Sequence, residues 1–514
     1  MYNEENSLPA GLFGGLAMRK ERQRVIYNKT VGRWAVFETA IKVDETLENP
    51  FSGVQLEAAF QSGERTVKAN GFYDGDGVYK IRFMPDAVGP WTFLTSSNVP
   101  ALDALTGEFE CTDAGAGNHG PVRVASRDSF EYADGSPYIP FGTTCYAWVH
   151  QNEPLQAETL EALRNSPFNK IRMCVFPKRY TFNVTEPALF AFPGSKEEGF
   201  DLERFEPRFF QGLERRIEQL AELGIEADVI LFHPYDKGHW GFDRMSPDRD
   251  EFYLRYVIAR LAAYRNVWWS LANEYDFMRE KRKEDWDRLF QIVQENDPYG
   301  HLRSIHNGTK MYDPTSLDLY DHSKPWVDHV SLQHWDLTAV DSIRRAYGKP
   351  VVVDECCYEG DIPRRWGNIT GEEMTHRFWE GTVRGAYVGH GETYMHPENI
   401  IWWSHGGELH GTSPDRIGFL RKVLEDAPRH LTVIDTIKDV PALGKQEDYY
   451  LLYFGIHRPI VRPVQLSEDA AYTAEVIDTW NMTIEPIEGT FSGDCAISLP
   501  GRPYLALRIR RSMQ

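Results

Sequence analysis

At 514 residues the chain is too long for one hydrophobic core, so several domains are expected. Apolar residues make up 42% and aromatic residues 13%, which excludes a disordered chain. The formal charge of −20 repels phosphate backbones and excludes nucleic acid as a partner.

Residues 1–20 are glycine-rich and weakly patterned and read as an N-terminal arm. Met1–Asn6 lacks the basic region and apolar core of a signal peptide. No window approaches the roughly 20 uninterrupted apolar residues of a membrane span. A cytoplasmic protein without membrane contact is the expectation. The cysteines are Cys111, Cys145, Cys174, Cys356, Cys357 and Cys495. They show no zinc-ribbon spacing, and adjacent Cys356 and Cys357 would pair only with strain. Free buried thiols are expected, in keeping with a reducing compartment.

Residues 21–118 have a β texture. Trp34–Ile41 and Val78–Phe83 read as strands, and the turn Asp74-Gly75-Asp76-Gly77 precedes the second. Short strands with frequent turns predict an immunoglobulin-like sandwich. Gly115-Ala116-Gly117-Asn118-His119-Gly120 has the form of a dinucleotide fingerprint. Pro121 follows it and no amphipathic helix opens there, so it reads as a linker.

Residues 119–427 alternate strand and helix. Candidate strands end near Tyr146, Phe176, Phe232, Asn273, His306, His334, Glu355 and Tyr394. Between them, Phe209, Leu213, Ile217 and Leu220 recur at helical steps, with Gly224 as a stop signal. Phe252, Tyr256 and Leu261 mark a second helix; Trp286, Leu289, Phe290 and Val293 mark a third. Eight such units predict an α/β fold, a (β/α)8 TIM barrel flanked by N-terminal and C-terminal β-sandwiches. A doubly wound sheet would use fewer strands and a phosphate loop, and no convincing loop is present. Residues 428–514 return to β texture, with Tyr449–Phe454 and Tyr504–Ile509 as strands.

Two of the strand-like runs end in carboxylates: Val267–Glu274 and Pro350–Glu355. In a parallel barrel that end is the catalytic mouth. Acetal hydrolysis needs one group to protonate the leaving oxygen and a second to attack the cationic sugar. Glu274 and Glu355, after strands four and seven, can fill these posts. A carboxyl separation of about 5–5.5 Å predicts retention of anomeric configuration, and about 6.5–9.5 Å predicts inversion. Asp354 should point away from Glu355 on a regular strand and is assigned no chemistry.

Asn273-Glu274 after strand four and Glu355 after strand seven resemble the retaining glycoside hydrolases of clan A. The wider arrangement is similar to bacterial barrels of the DUF5060 and DUF4038 (apiosidase-like) type, often followed by a DUF5605 sandwich. Phe72–Pro85 with Gly89-Pro90-Trp91, Trp269–Glu274 and Thr393–Pro397 carry that likeness. The resemblance implies Glu274 as acid/base and Glu355 as nucleophile. It implies that Asn273 bonds the sugar 2-hydroxyl and that Arg172 holds the nucleophile ionised. It implies a strand-six Tyr or His near the nucleophile, for which His334 is the candidate.

Other mouth candidates are Trp402 and Trp403 as stacking platforms, and Tyr146, Trp148, His233, His306 and Tyr394 just past strand ends. The aromatic loop of residues 177–200 reads as cleft wall or dimer contact. No cofactor and no metal is expected: neither His-x-His nor His-Glu-x-x-His occurs, and Gly-x-Ser-x-Gly is absent. His233 with His239, or His405 with His410, are the remaining zinc pairs. The expected partner is a β-linked oligosaccharide or small glycoside, cleaved from its end. An endo-acting glycanase and an inactive carbohydrate-binding scaffold are the alternatives. The sandwiches read as walls of the site or as supports for a homo-oligomer.

Overall fold

The computed structural model describes residues 25–512, without 46, 185 and 310–318. The arm expected over residues 1–20 lies outside the described residues. No helix among the described residues is long and apolar enough to cross a membrane.

The N-terminal part is a β-sandwich whose core is a column of aromatic rings. Phe60 stacks on Phe83 and Phe37 on Phe109, each with ring centres 4.1 Å apart. The expected strand Val78–Phe83 forms over those residues; the earlier one runs from Phe37 to Lys42.

The central part is the barrel. Its parallel strands are β1 (Gly142–Thr144), β2 (Lys170–Cys174), β3 (Glu226–Phe232), β4 (Val267–Ala272), β5 (Arg303–Ser304), β6 (Val330–Gln333), β7 (Val351–Glu355) and β8 (Ala386–His390). Ladders join them in the order β5-β4-β3-β2-β1-β8-β7-β6. Every residue of β4 and β7 is buried, as expected of strands covered on both faces. Between β5 and β6 the ring closes without a ladder, through side chains and one backbone bond, Asp328 N to Arg303 O at 2.9 Å. Gln333 N donates to Asn307 Oδ1 at 3.1 Å, and Arg303 N donates to Asp328 Oδ2 at 2.9 Å.

The helices follow from their patterning. Pro207–Glu222 opens on proline and buries Phe209, Leu213, Ile217 and Leu220 on one face. Gly224, at φ 72, ends that turn in the left-handed region. Pro247–Leu261 packs beside it, and Lys283–Asn296 packs on Pro247–Leu261. At the N-terminal end of the barrel a hairpin, Val122–Ser126 with Ser129–Tyr132, inserts Phe130 against Trp268 and His329. That end is therefore plugged, and chemistry is confined to the opposite mouth.

The sandwich and barrel are joined by a buried ionic cluster. Glu214 on the Pro207–Glu222 helix meets Arg82 of the sandwich at 2.8 Å and Arg260 at 2.5 Å, and Arg260 reaches Asp74 at 2.6 Å. A six-stranded sheet and a two-stranded ribbon form the C-terminal sandwich. Tyr453 of its Tyr449–Tyr453 strand stacks on Trp379 of the helix Gly371–Val383. All six cysteines are free thiols.

Candidate active site

The apolar run of β4 passes through Asn273 into a sharp turn at Glu274. That residue is held left-handed, at φ 50. A non-glycine residue there costs on the order of 1–3 kcal/mol, and the surrounding bonds must hold it. Tyr275 N donates to His306 O, and Phe277 N donates to Glu274 O, both at 3.0 Å. The turn aims the Glu274 side chain across the mouth instead of into the helix layer.

Glu355 reaches the same mouth by a different device. Val351 and Val353 pack outward with Phe378 and Trp379, while Val352 faces inward with Trp268 and Phe130. Simple alternation would then send Asp354 inward and Glu355 outward. The ladder to β6 breaks this pattern: Leu332 pairs with Val353, but Gln333 pairs with Glu355. Asp354 is the extra residue of a bulge, so both carboxylates face the barrel interior. The expectation that Asp354 points away is corrected by this bulge.

Below the mouth the interior is ionic. Lys170 Nζ lies 2.6 Å from Asp228 and 2.8 Å from Asp354. Arg172 Nε lies 3.6 and 3.8 Å from the same two acids. One layer up, Arg172 Nη1 donates to Glu355 Oε1 at 3.4 Å and Nη2 donates to Asn273 Oδ1 at 3.1 Å. The Tyr146 hydroxyl bridges Glu355 Oε1 and Asn273 Oδ1.

His306 completes the ring, with Nε2 3.5 Å from Glu355 Oε1. Its tautomer follows from its partners. Ser331 Oγ donates to Asp354 at 2.6 Å, so it accepts from His306 Nδ1 at 3.1 Å. Nε2 then faces Glu355 as a lone pair. Burial, reinforced by Arg172, keeps this imidazole neutral by driving its pKa well below the ordinary value.

Both carboxyls are nearly buried, Glu274 6% and Glu355 5% exposed. Burial pushes Glu274 up to about 7, against the charge of Lys178. Burial pushes Glu355 up to about 8, with the Tyr358 hydroxyl working the other way. Arg172 does not hold Glu355 in the ordinary carboxylate range. Its charge and that of Lys170 already face Asp228 and Asp354, which leaves little net attraction for the mouth.

The structure thus gathers Glu274, Glu355, Asn273, Arg172, Tyr146 and His306. Trp403 joins them, with its ring edge-on to Tyr146 at 5.8 Å. The other candidates go elsewhere. Trp148 is buried in the core between barrel and helices, and Trp402 packs there with Nε1 on Thr143 Oγ1. His233 is held by backbone, Nε2 on Phe176 O and Nδ1 on the Tyr235 amide. His334 is joined to Glu355 by its backbone, N on Glu355 O at 3.0 Å, and its Nδ1 takes the Asp336 amide, while the imidazole facing the Glu355 carboxyl is that of His306. The Tyr394 hydroxyl donates to Glu359 at 2.9 Å. In the 177–200 loop, Phe192 is buried against Phe205 and Phe242, while Phe182 packs at the mouth with Tyr146 and Trp403.

Three mouth residues carried no sequence signal. Gln333, one position before His334, eases the charge of Glu274. Tyr358 lies beside Glu355. Lys178 is 2% exposed, and its ammonium sits 3.6 Å from the Tyr146 ring, 4.2 Å from Tyr235 and 4.6 Å from Trp403. A lone lysine in a loop has no pattern that separates it from a solvated one.

Comparison with known proteins identifies the family. The family model of the apiosidase-like catalytic domain matches residues 125–430. Two domains of unknown function match the flanks, DUF5060 over 30–98 and DUF5605 over 438–510. A candidate glycoside hydrolase from Bacteroides vulgatus ATCC 8482 is 41% identical, with a TM-score of 0.89 over 94% of this chain and 100% of its own. A glycoside hydrolase of family 5 from the same organism has a TM-score of 0.57 at 16% identity, over 76% of this chain and 94% of its own, which is a likeness of fold alone. No curated protein matches. The chain belongs to the apiosidase-like family: it is a glycoside hydrolase whose (β/α)8 barrel stands between two β-sandwiches.

Proposed function

We propose that the protein is a retaining, exo-acting hydrolase of a β-linked glycoside, with Glu355 as nucleophile and Glu274 as acid/base. The asymmetry of the two carboxyls carries this reading. Tyr146 and Arg172 both donate to Glu355 Oε1, whereas Glu274 Oε2 has no hydrogen-bond partner. Burial presses harder on Glu355 and by itself would put the charge on Glu274. Donors aimed at one oxygen stabilise the ionised form there, so we assign the shared charge to Glu355.

In the first half-reaction Glu274 protonates the glycosidic oxygen while Glu355 attacks the anomeric carbon, and the aglycone leaves as an alcohol. In the second, Glu274 takes a proton from water, which displaces Glu355 and restores both groups. Asn273 Oδ1 accepts from Arg172 Nη2, which leaves its amide NH2 for the sugar 2-hydroxyl.

The test is product stereochemistry. Aryl β-glycosides, led by a β-apioside because the catalytic domain is apiosidase-like, are hydrolysed in an NMR tube. The β-anomer of the free sugar should appear first. Initial α-anomer removes the double displacement, and no turnover of any aryl glycoside removes the hydrolase reading.

A pH profile follows from the same pair. Below about 7 both carboxyls become protonated and no nucleophile remains; above about 8 both ionise and no acid remains. The expected maximum of kcat/KM lies between about pH 7 and 8. A maximum near pH 5 would mean that solvent reaches the pair and burial does not set its titration.

A further inference from the structure

Outside the mouth, the strongest unassigned cluster lies where the loops after β7 and β8 meet the start of the helix Ser413–Glu425. Glu359, His390 and Glu392 are 0%, 0% and 1% exposed. One ligand-type atom from each lies within 4.8 Å of the other two. The three residues come from separate places in the chain. Glu359 and Glu392 are brought together by a short parallel pairing, Glu359-Gly360 on Glu392-Thr393. His390 is the last residue of β8.

Glu359 is fully hydrogen-bonded, whereas Glu392 and His390 each leave one atom open. Glu359 is anchored by Thr412 N at 2.7 Å, Ser413 N at 3.1 Å and the Tyr394 hydroxyl at 2.9 Å. Against burial, the Ser413 hydroxyl on Oε2 at 2.5 Å, with the Thr412 and Ser413 amides and the nearby His390, holds its pKa below the ordinary carboxylate value. Glu392 Oε2 accepts from His410 N at 2.8 Å, but Oε1 has no hydrogen-bond partner. His390 Nδ1 is satisfied by Thr143 Oγ1 at 3.0 Å, while Nε2 has no hydrogen-bond partner. The two orphan atoms face one another at 3.5 Å.

That separation is too long for a hydrogen bond between them. It matches the roughly 3.3–3.5 Å between two ligands that share one tetrahedral ion at about 2.0–2.2 Å. Among the described residues no Lys or Arg forms an ion pair with Glu392, so its buried Oε1 has neither a hydrogen bond nor a Lys or Arg to compensate it. Leaving such charge buried and unpaired is costly. The space between the two carboxylates is kept open by Gly411, where a Cβ would lie 2.4 Å from Glu392 Oε1 and 2.5 Å from Glu359 Oε2.

We propose that Glu359, His390 and Glu392 bind a first-row divalent cation of the Zn²⁺ class. One imidazole with two carboxylates suits zinc or manganese better than calcium, which takes oxygen ligands only. The hydrogen bond between Thr143 Oγ1 and His390 Nδ1 fixes the ring with Nε2 toward Glu392, the usual outer support of a metal-bound histidine. The ion is structural: it ties the loops after β7 and β8 to the Ser413–Glu425 helix. Glu359 is also the neighbour of Tyr358, so the clamp steadies the loop beside Glu355.

The experiment uses the full chain, dialysed against EDTA and then titrated with ZnCl2 by calorimetry and metal analysis. One zinc per chain and a higher thermal midpoint are expected. His390→Gln and Glu392→Gln should each lower the affinity by more than the roughly 10–100-fold typical of losing an outer partner. Co²⁺ in place of zinc should give visible d–d bands without a thiolate charge-transfer band. Absence of binding at millimolar zinc overturns the proposal. So does a thiolate band, which assigns the metal to the cysteines, or wild-type affinity in both variants. The titration of the unmodified chain stands even if a variant fails to fold.

Discussion

Glu355→Ala should lower kcat on an aryl β-glycoside by about 10⁴–10⁶-fold, the scale of losing a covalent nucleophile. Nothing else in the mouth can replace it. Asp354 is tied to Lys170 and Ser331 in the layer below, and His306 presents only a neutral lone pair. Glu274→Ala should behave differently. With a poor leaving group the loss should be about 10²–10⁴-fold, the usual contribution of a general acid. With a strongly acidic phenol as leaving group the first step needs no proton, so the loss should shrink and the covalent intermediate should accumulate as a burst. Rates kept within tenfold in either variant would remove that residue from its role. A double variant should lose little more than Glu355→Ala alone, because both act in one step.

Glu214→Ala should destabilise the chain by about 3–5 kcal/mol, the effect of removing one partner from a buried charge cluster. Arg82 and Arg260, 5% and 0% exposed, would keep their charges in the interface and lose a shared carboxylate. Asp74 remains on Arg260, and Glu38 remains on Arg82, so the loss should stop short of separating the domains. Urea unfolding followed by tryptophan fluorescence checks this. A midpoint unchanged within error would mean that water enters the interface and screens the cluster.

The sequence made the barrel legible because buried parallel strands are long apolar runs and because amphipathic helices alternate with them. Glu274 and Glu355 were legible as carboxylates closing two such runs. The manner of their arrival was not. A left-handed residue at 274 and a bulge at 354 are backbone events that leave no periodic trace, and the bulge inverted the expectation for Asp354. Gln333, one position before the residue the sequence singled out, is the strand-six side chain that bonds Glu274. The same limit applies to Lys178, Tyr358 and the Glu359-His390-Glu392 group, whose members meet only after the loops fold.

The seam between β5 and β6 gives the barrel one hinge-like joint. Everywhere else neighbouring strands share a backbone ladder, but here the amide side chain of Asn307 grips Gln333 at both ends. Glu274 belongs to the half of the ring before that joint and Glu355 to the half after it. The two halves that carry the carboxylates are therefore held together at this seam chiefly by side chains, Asn307 on Gln333 and Asp328 on Arg303.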